Sequence, residues 1–147
     1  MSLYSKILVA IDLSDESSIV LDKARSLASQ SEAEIHVVHV IEPIAVGYAI
    51  EVSSVDIEGL HKEATRQARE SLLEMGGNLG LAAANLHSRL GHPSKEIRQL
   101  AEELGCDLII MGGHGRHGWE LLFGSTSTEV SHGVGCDMLI VRIPDKD

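Results

Sequence analysis

A dense set of glycines follows a short apolar run in the last third of the chain. The stretch from Leu108 to Thr128 reads L-I-I-M-G-G-H-G-R-H-G-W-E-L-L-F-G-S-T-S-T. Glycine lets the backbone approach a ligand closely, and the N–H groups at a helix start attract anions because they have no partner inside the helix. A strand, a glycine loop and a helix in this order therefore indicate phosphate binding.

Other chemistries that the same stretch could suggest have less support. Residues 113–118 match G-x-G-x-x-G, but this segment follows the fourth predicted strand, whereas a dinucleotide fingerprint belongs to the first. A glycine loop followed by Lys-Ser/Thr is absent from the sequence, as is a G-x-S-x-G nucleophile elbow. His114 and His117 are interpreted as polar loop residues, so no metal site is predicted.

The elements that must position this loop follow from apolar periodicity, which predicts the order β-α-β-α-β-α-β-α-β. The predicted strands are Ile7–Ile11, Glu34–Ile41, Ala84–Leu90, Asp107–Met111 and Asp137–Ile143. The predicted helices are Asp15–Ser29, Asp56–Leu79, Ser94–Leu104 and Ser125–His132. Ser14 is the predicted N-cap of the first helix, and Gly76, Gly77 and Gly80 are predicted to end the second. The third is expected to start at Pro93 and to be followed by Gly105. Residues 42–55 are predicted to form a loop. Strict alternation predicts a single α/β domain of 147 residues with its core at about 5–143. Its expected fold is an open five-stranded parallel sheet with helices on both faces.

Composition and charge limit the partners. The chain has 12 basic and 22 acidic residues, a formal net charge of −10, which disfavours nucleic acid and anionic membrane surfaces. No apolar run is long enough to cross a bilayer, and no signal-peptide pattern begins the chain. We therefore expect a cytoplasmic protein in which Cys106 and Cys136 stay reduced.

Ligands of open parallel sheets bind beyond the carboxyl ends of the strands. The predicted exits are Asp12, residues 40–42, residues 91–93 and residues 112–126. Asp12 suits two roles equally, capping the next helix or accepting hydrogen bonds from ribose hydroxyls. His36 and His39 are three apart and should point to opposite faces of their strand, neither being a ligand by default. Trp119 is predicted to pack the loop against the body or a partner.

Successive segments of the chain resemble the universal stress protein family over about 5–143. They are K-I-L-V-A-I-D-L-S, V-V-H-V-I, L-G-H-P, C-D-L-I-I-M-G-G-H-G, G-S-T and C-D-M-L-I-V. The resemblance implies a Rossmann-like or flavodoxin-like fold of the adenine nucleotide alpha hydrolase type and a homodimer. It also implies ATP binding through G-x2-G-x9-G-[S/T], as in many members.

The resemblance assigns roles to individual residues. Gly112, Gly115 and Gly124 are the three glycines, Ser125 is the hydroxyl residue and Thr126 adds a further donor to the phosphates. Asp12 meets the ribose, and Gly91 lies beside the ribose and phosphate. Ala10, Ile11 and Val40 line the adenine pocket, and Met111 belongs to the same site. Eight residues separate Gly115 from Gly124 where the pattern has nine.

The sequence is compatible with two functions. The first is binding of ATP, ADP or AMP, with or without Mg²⁺, by a dimeric sensor or regulator of the stress response. The second is a nucleotide-free dimeric interaction protein that uses Trp119 as an anchor. The sequence offers no positioned base or nucleophile, so at most slow ATP hydrolysis is expected. In both cases the apolar last strand, Met138 to Arg142, is expected at a sheet edge where a second copy would cover it.

Overall fold

A computed structural model describes residues 3–43, 56–114, 126 and 129–144. Its strands are β1 (Lys6–Ala10), β2 (Glu34–Ile41), β3 (Leu86–Leu90), β4 (Leu108–His114) and β5 (Asp137–Ile143). Its helices are α1 (Ser17–Ser31), α2 (Ile57–Asn78) and α3 (Pro93–Leu104), with one 3₁₀ turn at Ala83–Asn85. Residue 126 and residues 129–131 are also helical.

The five strands form one parallel sheet in the order β3-β2-β1-β4-β5. This confirms the predicted fold class. β1 lies at the centre because both of its faces are apolar, and Ile7, Leu8 and Val9 are fully buried. β5 is an edge strand, which confirms the edge position expected for residues 138–142.

Helices cover both faces of the sheet. On the first face, Val9 and Ile110 pack with Leu21 of α1 and Leu72 of α2. On the second face, the alternate strand residues pack with Ile97 and Leu100 of α3 and with Val130. The connection after β1 therefore runs to the first face and the one after β4 to the second, which opens a crevice between the carboxyl ends of these neighbouring strands.

Some predicted boundaries are wrong. α1 begins at Ser17 rather than Asp15, and its N-cap residue is Glu16 rather than Ser14. The Ser14 hydroxyl donates to Asp12 Oδ1 (2.7 Å) instead, and the Ser14 carbonyl accepts from Ser17 N (3.0 Å). The Asp12 carboxylate thus holds Ser14 in a turn before the helix can start.

Of the three glycines predicted to end α2, Gly80 does so, because it follows the helix with a left-handed φ of 73°. Gly76 and Gly77 lie inside the helix, and Leu79 is its C-cap residue. Gly76 is required by close packing, because a Cβ there would lie 2.5 Å from Leu86 Cδ1. At the other end, Asp56 caps the helix through its side chain, which accepts from Gly59 N (3.0 Å).

Two strands also differ in length from their predictions. β3 begins at Leu86 rather than Ala84 because the 3₁₀ turn precedes it. β4 continues past Met111 to His114, paired with β5 as far as Ile143. The predicted start of α3 at Pro93 is confirmed, as is its end at Gly105, which has a left-handed φ of 71°. None of the described helices combines the length and hydropathy that crossing a membrane requires.

Candidate functional site

A cavity of about 280 Å³ lies at the carboxyl ends of β1, β2 and β4. It sits at the crevice where the connections diverge. Seven of the predicted site residues line it: Ala10, Ile11, Asp12, Val40, Met111, Gly112 and Thr126. The fold thus brings together residues that are spread over more than a hundred positions of the sequence.

The remaining predicted residues are not part of this lining. Gly91 is at the exit of β3 and donates its N–H to the Ile41 carbonyl (2.9 Å). A Cβ on Gly91 would lie 2.7 Å from Glu96 Oε1, so this glycine also leaves room for the Glu96 side chain. The predicted phosphate residues Gly115, Gly124 and Ser125 and the predicted anchor Trp119 lie outside the described residues, as does most of the predicted loop at 42–55.

The main chain of β2 offers a donor and an acceptor at the crevice. The carbonyl of Val38 accepts from Ile11 N (3.0 Å) on the β1 side, whereas the carbonyl of Ile41 accepts from Gly91 N on the β3 side. Because the main-chain groups of successive strand residues alternate between sides, the N–H and C=O of Val40 point to the β1 side. The pairing of β1 with β2 ends at Ala10 and Val38. Val40 lies beyond this last pair, so its N–H and C=O face the crevice.

Asp12 directs its carboxylate into a local network. Its Oδ1 accepts three hydrogen bonds, from Ser14 N (3.0 Å), Ser14 Oγ (2.7 Å) and Ser17 Oγ (3.1 Å). Partial burial by itself would raise the pKa of Asp12, but these hydrogen bonds outweigh it and hold the pKa below its ordinary value. Among the described residues all three bonds end on Oδ1, which leaves Oδ2 available to an incoming hydroxyl.

His39 forms a hydrogen bond that holds one wall of the cavity in place. Its Nδ1 lies 2.9 Å from the carbonyl oxygen of Ile11. A carbonyl can only accept, so Nδ1 carries the hydrogen. Both main-chain groups of Ile11 are then engaged, its N–H by Val38 and its C=O by His39, and the strand end that leads into Asp12 is fixed.

Gly112 is enclosed by packing as well as by the cavity. A Cβ at this position would lie 2.7 Å from Ile143 Cδ1 and 3.0 Å from Val20 Cγ2. The absence of a side chain therefore leaves room for the side chains of Ile143 on β5 and Val20 on α1. It also leaves the main chain of Gly112 exposed to the cavity.

Comparison with known proteins identifies the group to which the chain belongs. The model of the universal stress protein family matches residues 3–142. The chain belongs to the universal stress protein family. Universal stress protein A homolog 2 of Coxiella burnetii is 38% identical over 146 residues, covering 97% of this chain and 98% of the relative.

Solved structures agree on the fold of this universal stress protein. Hypothetical protein MJ0577 superposes with a TM-score of 0.72 at 25% identity, covering 99% of both chains. A universal stress protein in complex with cAMP superposes with a TM-score of 0.62 at 24% identity, covering 97% of this chain and 99% of the other. The predicted family and fold are therefore confirmed.

A polar cluster beside the cavity of this universal stress protein was not predicted. The hydroxyl of Ser94, the second residue of α3, donates to Glu129 Oε2 (2.9 Å) and lies 3.0 Å from His92 Nδ1. His92 Nε2 is 3.5 Å from the same carboxylate oxygen. The composition resembles a catalytic triad, but Ser94 is only 3% exposed and its one hydrogen is given to Glu129. The cluster therefore joins α3 to the helical residues 129–131.

His39 belongs to the cavity, a position that the sequence pattern did not predict for it. His36 and His39 do point to opposite faces, as predicted. His36 pairs with His87 (Nδ1 to Nε2, 3.0 Å), whereas His39 lines the cavity. A histidine one residue before Val40, at the end of a strand, was a usable signal. The spacing of three from His36 indicates opposite faces of the strand but does not by itself indicate a ligand.

Proposed function

We propose that this universal stress protein binds ATP, ADP or AMP in the crevice beyond β1, β2 and β4. It would act in the cytoplasm as a dimeric sensor or regulator in the stress response. The observation that carries the proposal is the cavity itself, which gathers Asp12, Val40, Gly112 and Thr126 on one surface. Adenosine needs an apolar slot, a paired donor and acceptor, and a carboxylate for its sugar, and each has a candidate here.

The adenine would lie against Ala10 and Ile11, both nearly buried. The N–H and C=O of Val40 face the same space and match the acceptor and donor on the edge of adenine. The ribose hydroxyls would donate to Asp12 Oδ2. The phosphates would then extend over the main chain of Gly112 towards Thr126.

The size of the cavity agrees with this placement. About 280 Å³ lies near the lower end of the range for small-molecule pockets. Such a volume holds a nucleoside and leaves charged phosphates at the mouth. The structural relative in complex with cAMP offers further support, because cAMP carries an adenine and a ribose.

We propose binding rather than catalysis. The described part of the chain holds no group of three His, Cys, Asp or Glu side chains that could bind a metal ion. Any Mg²⁺ would arrive with the phosphates, which are its usual partners in nucleotide sites. The Ser94 hydroxyl is buried and bonded to Glu129, so it is not placed to attack a substrate.

The direct test is mass analysis of small molecules released from the purified protein, followed by thermal unfolding with adenine and guanine nucleotides. We expect adenine compounds to raise Tm and guanine nucleotides to have little effect, because a ligand that binds only the folded state stabilises it. Val40→Trp should fill the cavity and abolish the shift. Val134→Trp, at the opposite end of the sheet, should retain it. If no adenine compound shifts Tm at millimolar concentration, the nucleotide-free interaction protein becomes the better hypothesis.

We also propose that β5 forms the dimer interface. It is an edge strand, and Met138, Leu139 and Ile140 along it are half-buried apolar residues. An edge of this kind pairs readily with a second copy. Light scattering at tens of micromolar should give a dimeric mass, and Ile140→Lys should give a monomer. Leu73→Lys on the exposed side of α2 is the control. A monomeric mass for the unmodified protein would overturn this proposal.

A further inference from the structure

The cavity carries an unusual balance of charge for a phosphate site. Its lining includes the carboxylates of Asp12 and Glu42, and no Lys or Arg belongs to the described lining. The described lining therefore offers a phosphate no positively charged Lys or Arg side chain.

Glu129 brings a third carboxylate near the cavity, because it is bonded to Ser94, the residue that follows Pro93 of the lining. It follows Thr126, which lines the cavity, by three positions in the sequence, and both residues are helical. Its position is fixed, because Ser94 Oγ donates to its Oε2 and Ser94 is buried in the first turn of α3. The residue before Ser94, Pro93, lines the cavity. The positive end of the α3 dipole, where a phosphate would otherwise be stabilised, therefore already has an anion beside it.

From this arrangement we propose that the site selects adenosine ligands of low charge, namely adenosine, its monophosphate or its cyclic monophosphate, over the triphosphate, and that Glu129 is a main determinant of the selection. The inference rests on the proposed adenine site. Each further phosphate brings negative charge towards Glu129 and Glu42. Repulsion at the partly exposed mouth weakens binding with every added charge.

The test compares adenosine, AMP, cAMP and ATP by isothermal titration calorimetry. Measurements are made at pH 8, where an ordinary histidine is neutral, in EDTA and at low ionic strength. We expect adenosine, AMP and cAMP to bind more tightly than ATP. The difference in affinity between these three ligands and ATP should become smaller when salt is added, because salt screens charges at the mouth of the cavity. ATP binding as tightly as AMP under these conditions would overturn the proposal.

Glu129→Gln keeps an oxygen that can accept from Ser94 and removes the charge. We expect it to raise ATP affinity by about fivefold while leaving adenosine unchanged, as removal of one partly screened charge predicts. Glu74→Gln, at an exposed position of α2, changes the net charge equally and should have little effect. The role of Glu129 would be rejected if Glu129→Gln changed the affinities for adenosine and ATP equally. It would also be rejected if Glu129→Gln and Glu74→Gln changed the affinity for ATP equally.

The outcomes separate the two proposals. If adenosine itself does not bind, the adenine site is wrong and the selectivity fails with it. If adenosine binds and ATP binds at least as well, the adenine site stands and only the charge selectivity is wrong.

Discussion

Nδ1 of His39 on β2 donates to the carbonyl oxygen of Ile11, the residue that follows β1, across 2.9 Å. This bond joins the two strands beyond the last residue pair of their register, Ala10 and Val38. It holds the end of β1 at the point where the chain turns into Asp12. The wall of the cavity therefore depends on a side chain that spans the gap between two strand ends.

Replacing His39 with Leu should destabilise the fold. The partly buried Ile11 carbonyl would lose its donor, which costs about 1–3 kcal/mol. His39→Asn places an amide N–H near the position of Nδ1 and should lose less. Urea denaturation measures the free energy of unfolding of each variant. Equal losses for Leu and Asn would mean that the hydrogen bond is not the reason for the histidine.

Replacing Asp12 with Asn should weaken adenosine binding by about tenfold or more, because a hydrogen bond to a charged acceptor contributes more than one to a neutral amide. The amide oxygen of Asn can still accept from Ser14, so the turn before α1 should survive. Calorimetric titration with adenosine measures the loss. Asp15→Asn, an exposed neighbour, is the control and should bind normally. Unchanged affinity in Asp12→Asn would remove the ribose role from this residue.

Replacing Gly112 with Ala should destabilise the protein by about 1–3 kcal/mol, since the new methyl group meets Ile143 and Val20 at overpacked distances. The matched control is Gly77→Ala, where a Cβ meets nothing within 4 Å inside α2. That change should stabilise the protein by about 0.5–1 kcal/mol because alanine favours a helix. Denaturant unfolding of both variants shows whether each change lowers or raises the free energy of unfolding. A neutral Gly112→Ala would indicate that β4 and β5 adjust without strain.

The pair formed by the buried His36 and the half-buried His87 predicts a dependence of stability on pH. Burial lowers the pKa of His87 below its ordinary 6.5, and the neighbouring His36 lowers it further. The unfolded chain therefore binds a proton more readily than the folded one. The contribution of His87 to stability is complete above pH 6.5 and is lost as the pH falls from there through the lowered folded pKa.

Denaturant unfolding between pH 7.5 and about 5 measures this slope. His87→Gln removes the titrating group, so its stability should fall less steeply with acid than that of the unmodified protein. His132→Gln, at an exposed position, should leave the slope unchanged. A slope that survives in His87→Gln would assign the effect to other groups.

Local features of the sequence were enough to predict the sheet. β5 has the predicted bounds, Asp137–Ile143, because a continuous apolar run follows a turn, and α3 ends at Gly105, which adopts the left-handed conformation that glycine favours. Predictions failed where a second partner competed. Ser14 did not cap α1 because Asp12 accepted its hydroxyl. Gly76 lies inside α2 rather than at its end, and it serves the packing against Leu86, where a Cβ would be 2.5 Å from Cδ1.

The sequence by itself determined the alternation of strands and helices, the apolar central strand and the position of Asp12 at a strand exit. The tertiary structure decided which distant residues meet there. The bond between His39 and Ile11, the contact of Gly112 with Ile143 and Val20, and the bond between Ser94 and Glu129 all depend on the strand order or on how helices dock. Side chains alternate between the faces of a sheet, so a shift of register by one residue would send each to the opposite face. Contacts of that kind are set by the packing of the whole sheet, which no local pattern specifies.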